Sequence, residues 1–156
     1  MKITQTFKSK ARAMAPWLVL VVVGVILFLI GIDPDLIGMN RSPAVGFVQI
    51  GVWLIGLAVA LLGGYVAVRR LRGGRPKSLR ADIGVRMAAT GYVVAAVASL
   101  ADFIGIGSHH QPGIVFGKLQ KFGLGLGIAL ILLGLVLYLP LGRRKPADED
   151  APEKAN

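Results

Sequence analysis

The chain has 156 residues and no cysteine. Disulfides, thiolate nucleophiles and cysteine-held zinc or iron–sulfur centres are therefore excluded. Histidine is almost as scarce, with only His109 and His110. Acids are few as well, 8 against 18 Lys and Arg. No pair of acids falls inside an apolar run, so a buried two-carboxylate mechanism has no candidates. There is no H-E-x-x-H, no phosphate-binding loop and no Ser-His-Asp set. Aromatic residues make up 7%, and no aromatic platform accompanies the basic residues. This argues against nucleic acid as a partner despite a net charge of +10.

What the chain has in quantity is apolar sequence. Its hydrophobic fraction is 54% and its mean hydropathy is +0.68, beyond an ordinary soluble domain. A bilayer core about 30 Å thick needs about 20 apolar residues per helix. Four segments meet that length: 13–32, a stretch from about Phe47 to Val68, 83–106 and 122–142. The expected fold is an all-α membrane protein of four transmembrane helices, arranged as two tandem helix–loop–helix hairpins. The expected divisions are a basic arm at 1–12, a first hairpin at 13–68 and a basic loop at 69–80. A second hairpin follows at 81–142, and a disordered tail at 143–156.

The basic residues are distributed unevenly. Lys2, Lys8, Lys10 and Arg12 precede the first span. Arg69, Arg70, Arg72, Arg75, Lys77, Arg80 and Arg86 lie between or beside the second and third. Arg143, Arg144, Lys145 and Lys154 follow the fourth. One side thus carries fifteen basic residues and the other three, Arg41, Lys118 and Lys121. Cytoplasmic loops hold the Lys/Arg excess. Both termini are therefore expected in the cytoplasm, and the protein in the inner membrane as a multi-pass chain. The first apolar run resembles a signal peptide in its flanking charge. It is long enough to span, however, and no small-x-small cleavage site follows it. Pro16-Trp17 suits a first helical turn at the headgroup belt.

A pattern occurs twice. Gly46, Gln49, Gly56, Ala58, Leu61, Leu62 and Gly63 recur 71 residues later as Gly117, Gln120, Gly127, Ala129, Leu132, Leu133 and Gly134. Ile30-Gly31-Ile32 is echoed by Ile104-Gly105-Ile106. Two spans per copy would give both copies the same orientation, with any pseudo-twofold axis along the membrane normal. Shared glycine- and leucine-rich composition would produce some of these matches without duplication.

Small residues recur along each span: Gly24 and Gly31; Gly56, Ala60 and Gly64; Gly91, Ala95 and Ser99; Gly123, Gly127 and Gly134. Helices in lipid associate at such positions. The seams suit packing within one bundle. Being more than a minimal bundle requires, they also suit contact with another subunit.

Asp102 is the one acid near the hydrocarbon region. It suits either pairing with outer-loop cations or an ion-handling role. His109 and His110 lie in a loop and suit a solvent-exposed position, although histidine also binds metal and titrates near neutral pH. Gln49 and Gln120 occupy matched helix starts, where each can satisfy its own terminus or receive a polar ligand. With Lys118 and Lys121 these residues form a candidate polar site on the outer side. Arg69, Arg70, Arg72, Arg75, Lys77 and Arg80 are expected to face anionic lipid headgroups. Asp82 and Arg86, four apart, are expected to pair on one helix face. No metal site or cofactor is expected.

The reading that follows is a non-catalytic accessory or assembly subunit of a membrane complex, with a membrane-protein partner or a second copy of itself. The alternative is a small oligomeric transporter or channel with Asp102, Gln49 and Gln120 at its outer mouth. A membrane enzyme using Asp102 with His109 or His110 is a third.

Overall fold

The computed structural model describes residues 2–33, 38, 46–73, 78–101, 104 and 117–140, with side chains from Met14 onward. Its four helices are α1 (Lys2–Ile32), α2 (Phe47–Arg72), α3 (Leu79–Leu100) and α4 (Lys118–Tyr138). Each is long and apolar enough to cross a membrane. Together they form an all-helical bundle.

The helix ends follow local chemistry. At Gly73 the chain takes φ 59°, ψ 42° and its N–H bonds back to the Arg70 carbonyl, closing α2. The Ser78 hydroxyl accepts from the Ala81 N–H at 3.4 Å and opens α3. Leu139, with ψ 142°, ends α4 just before Pro140; proline disfavours helical geometry in the residue before it. The helices also run past several expected limits. The last turn of α2 includes Arg69, Arg70 and Arg72, and α4 begins at Lys118 rather than 122. The third helix falls short of its expected limit, ending at Leu100 and not 106.

The arm at 2–12 continues directly into the first span as one 31-residue helix, and Pro16 lies inside it. The expectation of Pro16 in a first helical turn therefore fails. Proline has no N–H for the Arg12 carbonyl, so the helix crosses this point without one bond of its ladder.

The helices pack as two close antiparallel pairs. In the α1/α2 pair, a Cβ built on Gly56 would meet the Phe28 nitrogen and the Gly24 carbonyl oxygen, and one on Gly63 would meet the Val21 nitrogen and the Trp17 oxygen. In the α3/α4 pair, one on Gly127 would meet Ala95 nitrogen and Gly91 oxygen, and one on Gly134 would meet Ala88 nitrogen and Gly84 oxygen. Every small-residue seam thus lies against another helix of the same chain. Backbones this close gain van der Waals contact that lipid cannot supply.

The two pairs meet through α2. Leu57 packs with Ala95, Leu124 and Ile131 in one buried cluster. Val68 packs with Ala81 and Tyr138 in a second. Among the described residues α1 packs on α2 alone. Leu18, Val19, Val22, Val25 and Ile26 of α1 are exposed, as suits a surface solvated by lipid.

Candidate functional site

Antiparallel packing within each pair, and the alignment of Tyr65 with Tyr138 and of Gly64 with Leu135, define two ends of the bundle. One end holds Gln49, Trp53, Ser99, Lys118, Gln120 and Lys121. The other holds the start of the apolar stretch of α1, the last turn of α2, the first turn of α3 and the last turn of α4.

At the first end, Gln120 is buried and its Oε1 accepts the Gly117 N–H at 2.7 Å. The side chain reaches back to satisfy a free donor at the start of its own helix. Gln49 is half-buried, and Lys118 and Lys121 are exposed. The two glutamines therefore differ in burial despite their matched sequence positions. Asp102, His109 and His110 lie outside the described residues. Among the described residues no three metal-ligating side chains come together.

One buried polar contact at this end has no counterpart in the sequence reading. Trp53 Nε1 donates to Ser99 Oγ at 3.2 Å, and the Ser99 hydroxyl donates to the Ala95 carbonyl at 2.7 Å. The contact ties α2 to α3. Ser99 shows in the sequence only as a small residue on a seam. The signal available was a hydroxyl near a helix end, with an indole on the neighbouring span. Nearby, the Tyr92 hydroxyl donates to the Leu54 carbonyl at 3.4 Å.

At the second end, Arg72 is drawn inwards and is 8% exposed. Its Nη1 donates to the Tyr138 carbonyl at 3.2 Å, and its guanidinium carbon lies 5.2 Å from the Tyr138 ring centroid. The Tyr138 ring stacks on Tyr65, with centroids 5.2 Å apart and planes 12° apart. Cation–π attraction and the bond to a helix-terminal carbonyl hold the charge. Arg72, grouped in the sequence with the headgroup-facing arginines, thus has its guanidinium fastening α2 to α4. Arg69, Arg70 and Arg80 are exposed. Arg75 and Lys77 lie outside the described residues. Arg86 and Asp82 pair at 2.9 Å as expected. Both are substantially exposed, so the pair contributes little stability.

Beside the tyrosines lies a groove of about 220 Å³. Leu61, Leu62 and Tyr65 of α2 form one wall, and Gly84, Val85, Ala88 and Ala89 of α3 another. Gly134, Leu135 and Tyr138 of α4 complete the lining. No charged side chain lines it.

No protein-family model matches the chain, and neither do the curated proteins or the solved structures compared with it.

Proposed function

We propose that the chain is a multi-pass inner-membrane protein that acts as a non-catalytic accessory or assembly subunit of a membrane complex. The observation that carries this reading is what the buried polar side chains do. Arg72, Ser99 and Gln120 are the buried polar residues among those described. Arg72 holds α2 to α4, Ser99 holds α3 to α2, and Gln120 serves its own helix start. All three hold structure, which suits a scaffold.

The seams do not support an outside partner, because they close within the chain. Exposed apolar faces that a partner could cover include the outer flank of α1, Val93 and Val97 of α3, and one face of α4. The α4 face includes Gly125, where an added Cβ would meet nothing, and the exposed Leu132 and Val136.

The architecture proposed is two tandem hairpins derived by duplication. Its support is the register of contacts. Moving 71 residues from Gly56 and Gly63 reaches Gly127 and Gly134. Moving 67 residues from their partners Trp17, Val21, Gly24 and Phe28 reaches Gly84, Ala88, Gly91 and Ala95, the partners of the second pair. One of these four partner positions, Gly24 and Gly91, holds the same residue in both pairs, and the shared register follows from it. The Ile-Gly-Ile echo lies outside this register, since Ala98 stands 67 residues after Gly31. Both termini are assigned to the cytoplasm. In support, α1 starts at the same end of the bundle where α2 finishes on three arginines.

The test is gentle extraction of the tagged protein from its native membrane, followed by mass spectrometry of whatever copurifies. Stoichiometric partner proteins are expected. A homo-oligomer holding only lipid would overturn the accessory-subunit reading and favour an oligomeric transporter or channel.

A further inference from the structure

The groove between α2 and α3 ends at two arginines. Leu61, Tyr65 and Arg69 are spaced by four residues along α2, and Ala88, Gly84 and Arg80 are spaced likewise along α3. Residues four apart lie on one helix face. Each arginine therefore stands one turn, about 6 Å, beyond a residue that lines the groove. Val68 and Ala81, their chain neighbours, share a buried cluster with Tyr138, so both positions flank one helix contact. Arg69 and Arg80 are exposed. Asp82 pairs with Arg86, and no acid pairs with Arg69 or Arg80 among the described residues. Arg80 also sits in the first turn of α3, where the helix dipole disfavours a cation and an adjacent anion offsets it.

We propose that this groove binds one anionic phospholipid, with an acyl chain along Leu61, Ala88 and Ala89 and the phosphate between Arg69 and Arg80. The chemistry is complementary at both levels: an apolar groove for hydrocarbon and paired guanidinium groups for a phosphate. A volume of about 220 Å³ falls below the roughly 300–1,000 Å³ that encloses a drug-sized ligand. It suits part of one chain, with the rest of the lipid in the bilayer. The occupant is a lipid and not free phosphate, because the groove itself offers nothing to an anion.

The site rests on the bundle standing in a membrane, but not on which side its basic end faces. Native mass spectrometry of the detergent-solubilised full chain tests it, with phosphatidylglycerol and phosphatidylcholine titrated separately. The wild type should retain phosphatidylglycerol in preference. Two arginines near a headgroup are worth about thirtyfold in affinity, so R69Q/R80Q should lose about that preference. R70Q removes one exposed charge from the same turn and should keep it. Ala89→Phe narrows the mouth at an exposed position and should weaken both lipids. A loss of about fivefold in R70Q, the share of any one charge near the headgroups, would mean diffuse attraction and overturn the site. So would unchanged binding in Ala89→Phe, or displacement of the lipid by inorganic phosphate alone. Labelling that places the basic end outside the cell would overturn the topology and leave this result standing.

Discussion

A methyl group on Gly91 or Gly127 would stand 2.6 Å from the other's carbonyl oxygen across the α3/α4 contact. Neither backbone can yield without parting the helices, so Gly127→Leu should destabilise by about 1–3 kcal/mol. Gly125, two residues earlier on the open face, has nothing within 4 Å of an added Cβ. Gly125→Leu should melt within a degree or two of wild type. Thermal melting in detergent compares the two, and an equal loss in both would reject the close-packing account. The Trp53–Ser99 bond makes a smaller prediction. Interhelical hydrogen bonds in membrane proteins average about 0.6 kcal/mol in double-mutant cycles. A cycle of Trp53→Phe and Ser99→Ala should return a coupling of that size. Strict additivity would mean that the contact holds nothing.

At the scale of the element, the start of α4 rests on one side chain. Gln120 accepts the Gly117 N–H, a donor that its own helix leaves unpaired. Gln120→Leu should cost about 1 kcal/mol. Gln49→Leu should cost less, since Gln49 accepts no such bond among the described residues. Equal losses would mean that the matched positions do matched work. The four spans were readable from apolar length alone, because nothing else places uninterrupted apolar runs of that size in a bilayer. Their limits were readable where a residue imposes backbone geometry, as Pro140 and Gly73 do. They were not readable where hydropathy and helicity part company. Arg69, Arg70 and Arg72 fall outside an apolar window, yet they favour a helix C-terminus. Residues 101–106 look apolar enough to continue α3, but the helix ends at Leu100. The outer polar site was legible as a set of candidates only, since Asp102, His109 and His110 lie outside the described residues. The Arg72–Tyr138–Tyr65 cluster was hidden because Tyr65 and Arg72, seven apart on α2, meet Tyr138 of α4 through a contact between helices that no sequence spacing fixes.

At the scale of the whole molecule, charge and packing meet at one end. α2 finishes and α3 begins there, bringing Arg69, Arg70 and Arg80 to a common level, while Lys118 and Lys121 lie at the opposite end. Moving the basic end through the bilayer would transfer each exposed arginine at about 2.5–3.5 kcal/mol, whereas keeping it at an anionic cytoplasmic leaflet gains about 1 kcal/mol per charge. The proposed topology thus predicts the accessibility of single engineered cysteines, and the cysteine-free chain provides the background for them. Arg70→Cys and Lys121→Cys replace exposed residues at the two ends, so neither should disturb packing. A membrane-impermeant maleimide applied to cells with a permeabilised outer barrier should label Lys121→Cys and spare Arg70→Cys. Both should react once the inner membrane is opened. The reverse pattern would invert the orientation, and labelling of both in intact cells would mean that the chain does not hold one orientation. Either result would also separate the charge distribution from its usual cause. The glycine-seamed pairs would remain intact, because their contacts depend on backbone approach and not on which side of the membrane the arginines face.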